Sequence, residues 1–207
     1  MERVDIIALQ QDHLPEAVET FLEAFKEEAF TVAWLDLSRQ KVRDAYNQAV
    51  RLMMQLYLEV GQPMFAVLKE NEVIGLAILK SPHVAFSKSL IFWRIIPRLP
   101  VLARLLPYYL RATLLMAAVS PPANLPGKYY TLEILAVHPD HQGEGLGRMM
   151  LEYVDQICAN DPAASGIYLV TGDEKNKIIY EHFSYQVLEV RATRSINAYH
   201  MFSSLPR

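Results

Sequence analysis

The stretch KYYTLEILAVHPDHQGEGLGR, residues 128–148, predicts a strand, a sharp break, a glycine-rich loop and the start of a helix. The apolar run up to Val137 is typical of a buried strand, and His138-Pro139 ends it. Glycines follow at positions 143, 145 and 147, and an amphipathic helix begins at about Leu146. The first N–H groups of a helix have no partner within it, and glycines leave the backbone open to a ligand. The loop therefore favours an anion such as phosphate.

The charge of the chain is unevenly distributed. Its 207 residues are 52% apolar or aromatic, enough for one buried core, and the formal charge of −3 argues against a generally basic nucleic-acid-binding protein. No acidic residue occurs between Glu72 and Glu133. The seven cations in that interval are Lys80, Lys88, Arg94, Arg98, Arg104, Arg111 and Lys128, which leave −10 on the remaining residues. The middle of the chain is thus a basic, apolar block in an acidic protein.

The numbers and spacing of cysteines and histidines argue against disulfide bonds and metal sites. Cys158 is the only cysteine, which excludes an internal disulfide and a zinc site built from cysteines. The histidines at 13, 83, 182 and 200 have no metal-ligand spacing, so we expect no metal, and His138 is interpreted as part of the turn. The opening residues MERVDIIALQQDH are too acidic, and their apolar run is too short, for a signal peptide. We expect a reducing, cytoplasmic setting.

Hydrophobic periodicity predicts alternating strands and helices along the rest of the chain. Before the central stretch, the predicted elements are a strand at 4–9, a helix capped by Asp12, a helix from about Ser38 to Gly61, and a hairpin of strands 64–68 and 73–79. After it, they are the helix from Leu146 to Asp161, a strand at 167–171, a helix at 174–183, and strands at 186–192 and 195–202. No repeat or linker separates these elements, so we expect a single domain, residues 1–207.

Residues 81–127 are predicted to form a helical insertion. Seven of the twelve prolines fall in this segment, and an interior proline breaks or kinks a helix. We expect three short helical pieces, at 84–96, 99–106 and 108–119, which together make an insertion at about 84–119. Four arginines interrupt the segment too often for a membrane span. It either lies on a membrane surface or packs its apolar side on its own domain or on a partner chain.

Two motifs resemble one family. The pattern Gln142-x-x-Gly145-x-Gly147, preceded by Leu135-Ala136-Val137-His138-Pro139, resembles the acyl-CoA signature Gln/Arg-x-x-Gly-x-Gly/Ala of the Gcn5-related N-acetyltransferase (GNAT) superfamily. The segment Thr171-Gly172-Asp173-Glu174-Lys175-Asn176, with Tyr180 four residues later, resembles a second conserved segment of that family. The resemblance implies an α/β (α+β) fold with a mixed, mostly antiparallel sheet of six to seven strands flanked by helices. It also implies a strand at 129–137 that is splayed from its neighbour.

The resemblance implies a binding site for acetyl-CoA. Backbone groups of the splayed strand would contact the pantetheine arm and the thioester, and N–H groups of the glycine loop would bind the pyrophosphate. Gln142 would shape the loop and Asn176 would bond the pantetheine. The residues expected to contact acetyl-CoA are Leu135, Ala136, Val137, Gln142, Gly143, Glu144, Gly145, Leu146, Gly147, Arg148, Asn176 and Tyr180.

Two residues are candidates for proton transfer. Tyr180 matches the family's general acid, and the competing interpretation is a tyrosine packed beside the sulfur without a catalytic effect. Glu133 lies on the strand close to the expected thioester and is a candidate base, acting directly or through water. It is equally consistent with a strand glutamate that faces solvent or an arginine. Where the family usually has Gly-Phe, this chain has Ser184-Tyr185, and we expect a slight shift of that turn.

Together these features predict an acetyl-CoA-dependent N-acetyltransferase that acts directly on a primary amine of a small molecule or peptide. The alternatives are a CoA-binding or membrane-surface module without turnover, and a transferase for a longer acyl chain. We expect no nucleic-acid partner and a monomer or homodimer. The basic insertion favours an acceptor with a carboxylate or an apolar body over a polyamine, because like charges repel within about 10 Å.

Overall fold

Seven strands form one mixed sheet in the computed structural model, which describes residues 4–193 and 196–204. In chain order they are β1 (Val4–Ala8), β2 (Met64–Lys69), β3 (Glu72–Lys80), β4 (Lys128–Val137), β5 (Ala164–Thr171), β6 (Gln186–Ala192) and β7 (Asn197–Ser204). Their spatial order is β1-β2-β3-β4-β5-β7-β6, and every neighbouring pair is antiparallel except β4 and β5. The mixed, mostly antiparallel sheet of six to seven strands that the resemblance implies is confirmed, with seven strands.

Helices cover both faces of the sheet. They are α1 (Leu14–Ala24), α2 (Ala29–Trp34), α3 (Gln40–Glu59), α4 (Lys88–Ile95), α5 (Leu99–Leu102), α6 (Tyr109–Val119), α7 (Leu146–Ala159) and α8 (Glu174–His182). One buried cluster joins α1 and α3 to one face of β2, β3 and β4, and a second joins α7 to the opposite face. Alternate residues of β2 serve the two clusters, as the period-2 pattern of a strand requires: Ala66 packs towards α1 and Val67 towards α7.

Sequence periodicity located the long elements and missed one short helix. The six residues of α2 are too few to express a helical period, and the sequence did not predict them. Asp12 does not cap α1, because it lies inside a 3-10 turn and His13 occupies the cap position. The last strand begins at Asn197, and Ser195, where the prediction began it, lies outside the described residues.

The insertion consists of α4, α5 and α6 joined by 3-10 turns, close to the three predicted pieces. It runs along α3: Arg94 Nε donates to Glu59 at 3.0 Å, and Arg98 donates to Gln55 at 2.9 Å. Nearer the other end of α3, the buried ring of Tyr108 packs with Val42. The insertion is therefore a layer packed on the first half of the chain.

The end of α6 is bonded to the last two strands. His200 is fully buried on β7; its Nε2–H donates to the Ala118 carbonyl at 2.8 Å, and Nδ1 accepts from the Tyr168 hydroxyl at 2.6 Å. Burial lowers the pKa of His200, which agrees with a neutral ring held between one acceptor and one donor. Arg191 on β6 donates to the Ser120 carbonyl at 2.7 Å. These bonds fix the end of the insertion on β6 and β7.

Candidate active site

Strands β4 and β5 are paired over only part of their length. The parallel ladder joins Lys128–Thr131 to residues 164–168 and stops there. On its other side β4 continues to pair with β3 as far as Val137. Residues 132–137 of β4 therefore have no strand partner on the β5 side, which opens a slot between the two strands.

A β-bulge lies at the point where the slot opens. Ile78 pairs with Ile134 and Leu79 pairs with Leu132, so Glu133 is an extra residue on β4. The extra residue reverses the alternation of the strand: Leu132 belongs to the cluster of α7, and Ile134 belongs to the cluster of α1 and α3. A bulge bends a strand and redirects its side chains, which accounts both for the divergence of β4 from β5 and for the exposure of Glu133.

The backbone groups that face the slot can be assigned from the hydrogen-bond pattern. The His138 N–H donates to the Ile74 carbonyl at 2.8 Å, and in an antiparallel ladder every second residue bonds to the same neighbour. Ala136 therefore bonds to β3, whereas Leu135 and Val137 direct their groups towards the slot. The side-chain amide of Gln142 donates to the Val137 carbonyl at 3.3 Å from that side, which ties the loop to the end of the strand.

The glycine loop presents an open helix N-terminus. Gly143 and Gly145 have φ of 84° and 81°, in the left-handed region that favours glycine, and Gly145 is the N-cap of α7. The Met149 N–H donates to the Gly145 carbonyl, so the N–H groups of residues 146–148 precede the helical bonding pattern. A Cβ built at Gly143, Gly145 or Gly147 would meet no described atom within 4 Å. The residues thus leave the space and the N–H donors that a diphosphate requires.

Tyr180 and Asn176 both lie on α8, one turn apart. Asn176 is exposed, and Tyr180 is partly buried against the α7 cluster, with its ring 5.7 Å from that of Tyr185. Burial raises the pKa of the Tyr180 hydroxyl to about 12, and the negative charge of Glu28 adds to the rise. The hydroxyl is therefore fully protonated at neutral pH.

The helix α8 ends in the turn where this sequence departs from the family pattern. Ser184 adopts φ of 66°, so the left-handed turn is kept although a serine occupies it. The Tyr185 N–H donates to the Tyr180 carbonyl at 3.1 Å across this turn. The slight shift expected from Ser184-Tyr185 stays a prediction, but the serine carries a steric cost that a glycine would not.

Replacing Ser184 by glycine should raise the free energy of unfolding by about 1 kcal/mol, because glycine adopts a positive φ without a Cβ clash. Urea denaturation of the two proteins measures the difference. A Ser38→Gly variant is the control, because Ser38 is not among the residues with positive φ and its side chain bonds Asp36. That substitution should not stabilise the protein. Equal or lower stability of Ser184→Gly would contradict strain at this turn.

Glu133 is held among polar and aromatic side chains. Although its residue surface is open to solvent, surrounding protein desolvates the carboxyl and raises its pKa, while Lys80 opposes the rise. The charge of Glu133 in turn contributes to the raised pKa values of Tyr57 and Tyr168, so the carboxyl lies between α3 and β5. It is not paired with an arginine among the described residues. A carboxyl with a raised pKa in this position can accept a proton from an amine.

A second carboxylate, which sequence reasoning missed, lies near Tyr180. Glu28 precedes α2, and its Oε2 accepts from the Thr31 N–H at 3.0 Å as an N-cap. Burial raises its pKa, backbone and side-chain hydrogen bonds oppose the rise, and Asp173 adds to it. The N-terminus of α2 lies on the end of β5, because a Cβ at Gly172 would be 3.1 Å from that of Ala29. Only the acidic cap before a short apolar run could have indicated this helix.

A cavity of about 760 Å³ lies apart from these residues, between α1, α3 and α5. It is lined by Leu22, Asn47 and Arg104 among others, and none of the residues predicted to contact acetyl-CoA contributes to it. Tyr46 also lines this cavity, and its hydroxyl is 3.4 Å from Thr31 Oγ1, beside Glu28. We take the slot and not this cavity as the candidate site, because the open N–H groups of α7 follow directly on the loop that Gln142 ties to the end of β4.

The slot and the loop fall in a segment that matches a family model. Residues 115–187 match the acetyltransferase (GNAT) domain. This segment of the chain is similar to a GNAT acetyltransferase domain. The segment spans β4, the glycine loop, α7, β5 and α8, so the resemblance read from the sequence is confirmed for the part that contains the slot.

Solved structures with a similar fold cover nearly the whole chain. A histone acetyltransferase HPA2 and related acetyltransferase from Corynebacterium glutamicum has 13% identity and a TM-score of 0.72, over 100% of this chain and 98% of that one. The ribosomal-protein-S18-alanine N-acetyltransferase from Escherichia coli has 14% identity and a TM-score of 0.58, over 99% and 96%. An acetyltransferase from Thermus thermophilus has 16% identity and a TM-score of 0.56, over 99% and 100%.

At these identities the likeness concerns the fold alone. A search of curated protein sequences gives no significant match. The family implies acyl transfer as the general activity, with an acyl-CoA as the usual donor and a small molecule or peptide as acceptor.

Proposed function

We propose that the protein is an acetyl-CoA-dependent N-acetyltransferase that transfers the acetyl group directly to a primary amine of a small molecule or peptide. The observation that carries this proposal is the slot between β4 and β5, which adjoins the open N-terminus of α7. Titration calorimetry with acetyl-CoA, and thiol release in the presence of a panel of amines, test it. Absence of both binding and amine-dependent thiol release would overturn it.

The residues around the slot divide the binding of acetyl-CoA between backbone and side chains. The N–H groups at 143 and 145–148, beside Glu144, would hold the pyrophosphate, and the helix dipole favours its negative charge. The backbone groups of Leu135 and Val137 that face the slot, on either side of Ala136, would extend the β4 ladder to the pantetheine amides. Asn176 would bond the same arm from α8. Gln142 keeps the loop in place through the Val137 carbonyl.

The chemistry at the thioester falls to the two candidate residues. An N–H of β4 that faces the slot would stabilise the negative charge developing on the thioester oxygen. Bound acetyl-CoA supplies the acetyl group and a thiolate leaving group with a pKa near 8.5. Because the pKa of Tyr180 is about 12, complete proton transfer from its hydroxyl to that thiolate is unfavourable. We propose that Tyr180 acts by donating a hydrogen bond to the departing sulfur, and that Glu133 accepts the amine proton.

Replacing Glu133 by glutamine should lower kcat/KM by about tenfold to a hundredfold, because the amide cannot accept a proton. The raised pKa of Glu133 makes a further prediction: the activity of the unmodified protein is lost as the pH falls through that pKa, since the base must be deprotonated. In Glu133→Gln this acid limb should disappear. A pH profile of kcat/KM measures both effects.

Glu28→Gln is the matched control for Glu133→Gln. Its amide oxygen can still accept the Thr31 N–H, so the cap of α2 is kept. If the acid limb persists in Glu133→Gln and disappears in Glu28→Gln, the base is Glu28 and the assignment of Glu133 is wrong.

The surface around α6 would suit an acceptor with an apolar body. Helix α6 contacts α2, β6 and β7. Around it Val32 of α2 and Leu188 and Val190 of β6 are exposed apolar side chains, and α6 carries one cation, Arg111, and no acid. Arg111 would repel a polyamine, and α6 offers no carboxylate to compensate. Comparing arylalkylamines with polyamines at equal concentration in the thiol-release assay tests this preference.

A further inference from the structure

The insertion exposes a large share of the apolar side chains at the surface of the protein. Leu110 and Leu114 are 75% and 71% exposed, and Trp93 is 68% exposed. Further exposed apolar residues of the insertion are Phe92, Ile96, Leu99, Leu106, Tyr109 and Met116. Single exposed apolar residues are ordinary, but a concentration of them in one segment marks an interaction surface. We call these nine residues the apolar surface.

Helix α6 exposes most of its apolar side chains and does not bury one apolar face against the core. Its sequence YLRATLLMAAV is apolar apart from Arg111 and Thr113, a composition typical of a helix surrounded largely by apolar material. Only Ala118 of this helix is buried. Leu110 and Leu114 are four residues apart within α6, the spacing that places side chains along one side of a helix, and Leu106 lies in the 3-10 turn just before it. This part of the apolar surface lacks a partner within the described chain.

The charges beside the apolar surface indicate the kind of partner. Lys88, Arg104 and Arg111 are exposed and form no ion pair with any acidic residue in the described part of the chain. No acidic residue occurs anywhere in the insertion, whereas the rest of the protein is acidic. Exposed leucine and tryptophan interleaved with unpaired cations match the interface of a membrane that contains anionic lipids.

We propose that the apolar surface docks on the surface of an anionic lipid membrane. The tryptophan and leucine side chains enter the interfacial region, and the three unpaired cations contact lipid phosphates. No helix among residues 4–193 and 196–204 is long and apolar enough to cross a membrane. A second copy of the chain fits less well, because a symmetric contact through this surface would bring the same cations of both copies together. This association is independent of the proposed acetyl transfer.

Flotation of the purified protein with vesicles tests the proposal. Vesicles of phosphatidylcholine alone are compared with vesicles in which phosphatidylglycerol replaces part of the lipid, at low and at high salt. The protein should float with the anionic vesicles at low salt, much less at high salt, and not with neutral vesicles. No flotation with anionic vesicles overturns the proposal.

Variants locate the contact. Leu110→Glu/Leu114→Glu changes two highly exposed residues and should reduce flotation at least tenfold, whereas Ile178→Glu, an exposed apolar residue of α8, should not. Lys88→Gln/Arg111→Gln should reduce flotation on anionic vesicles. Circular dichroism confirms that each variant is folded. Equal flotation of Leu110→Glu/Leu114→Glu and the unmodified protein overturns the proposal.

The alternative partner for the apolar surface is a second copy of the chain. Analytical ultracentrifugation of the same proteins tests it by measuring their oligomeric state. If the unmodified protein is a dimer that does not float, and Leu110→Glu/Leu114→Glu is a monomer, the apolar surface is an interface between two copies and the membrane proposal is wrong. A monomer that floats supports the proposal.

Discussion

Replacing Tyr180 by phenylalanine should lower kcat about a hundredfold with little change in the KM for acetyl-CoA, because a hydrogen-bond donor to the leaving sulfur acts mainly in the transition state. The loss should be nearly constant between neutral pH and pH 10, since burial raises the pKa of Tyr180 to about 12 and the hydroxyl stays protonated over that range. Steady-state kinetics across this pH range measure both effects.

The control for this substitution is Tyr153→Phe. Tyr153 lies on α7 and packs on Phe65, with ring centroids 5.0 Å apart. The substitution Tyr153→Phe removes a hydroxyl from the same cluster but leaves the residues of the slot unchanged. We therefore expect kcat to be unchanged. If Tyr180→Phe also retains full kcat, Tyr180 only packs beside the sulfur, and hydrogen-bond donation has to be assigned to another group.

Replacing Gly147 by glutamate should stabilise the protein and weaken its binding of acetyl-CoA. Glutamate favours a helix more than glycine does, and a negative charge in the first turn is favourable, so thermal unfolding should shift upward by an amount equivalent to about 1 kcal/mol. A carboxylate beside a bound pyrophosphate should cost about 3 kcal/mol, or about a hundredfold in affinity. The new side chain has room, since no described atom lies within 4 Å of a Cβ at this position.

The opposite signs of these two effects make the experiment decisive. A variant that unfolds at higher temperature cannot have lost affinity through misfolding. Gly147→Ala is the control: the signature admits alanine at this position, and the methyl group carries no charge, so affinity should be nearly unchanged. If Gly147→Glu binds acetyl-CoA as tightly as the unmodified protein, the N-terminus of α7 is not the pyrophosphate site.

Most features that depend on local sequence were predicted correctly, apart from the cap of α1 and the short helix α2. The glycine loop and α7 follow from backbone chemistry within a few residues, and the position of Tyr180 follows from its spacing to Asn176 on one helix. The fold class came from the resemblance together with the order of elements. The strong helical period of α3 and the prolines of the insertion gave bounds close to those of the structure.

The features that depend on distant packing could not be predicted. The bulge at Glu133 is hidden because LEILAV is apolar on both sides of the glutamate, so alternation does not reveal which residue is extra. The proximity of Glu28 to Tyr180 joins residues 152 positions apart. The anchoring of α6 by His200 and Arg191 requires the sheet order, in which β7 lies between β5 and β6.

The bulge in β4 also constrains which changes of sequence the protein can tolerate during evolution. Deletion of Glu133 alone would leave an unbroken strand of regular alternation, in which Leu135 and Val137 keep the face that they now share with Leu132. The same event would remove the candidate base and would favour continued pairing with β5, closing the slot. Loss of this one codon would therefore abolish the proposed proton acceptor and the proposed donor channel at once, and substitutions elsewhere could not restore them separately.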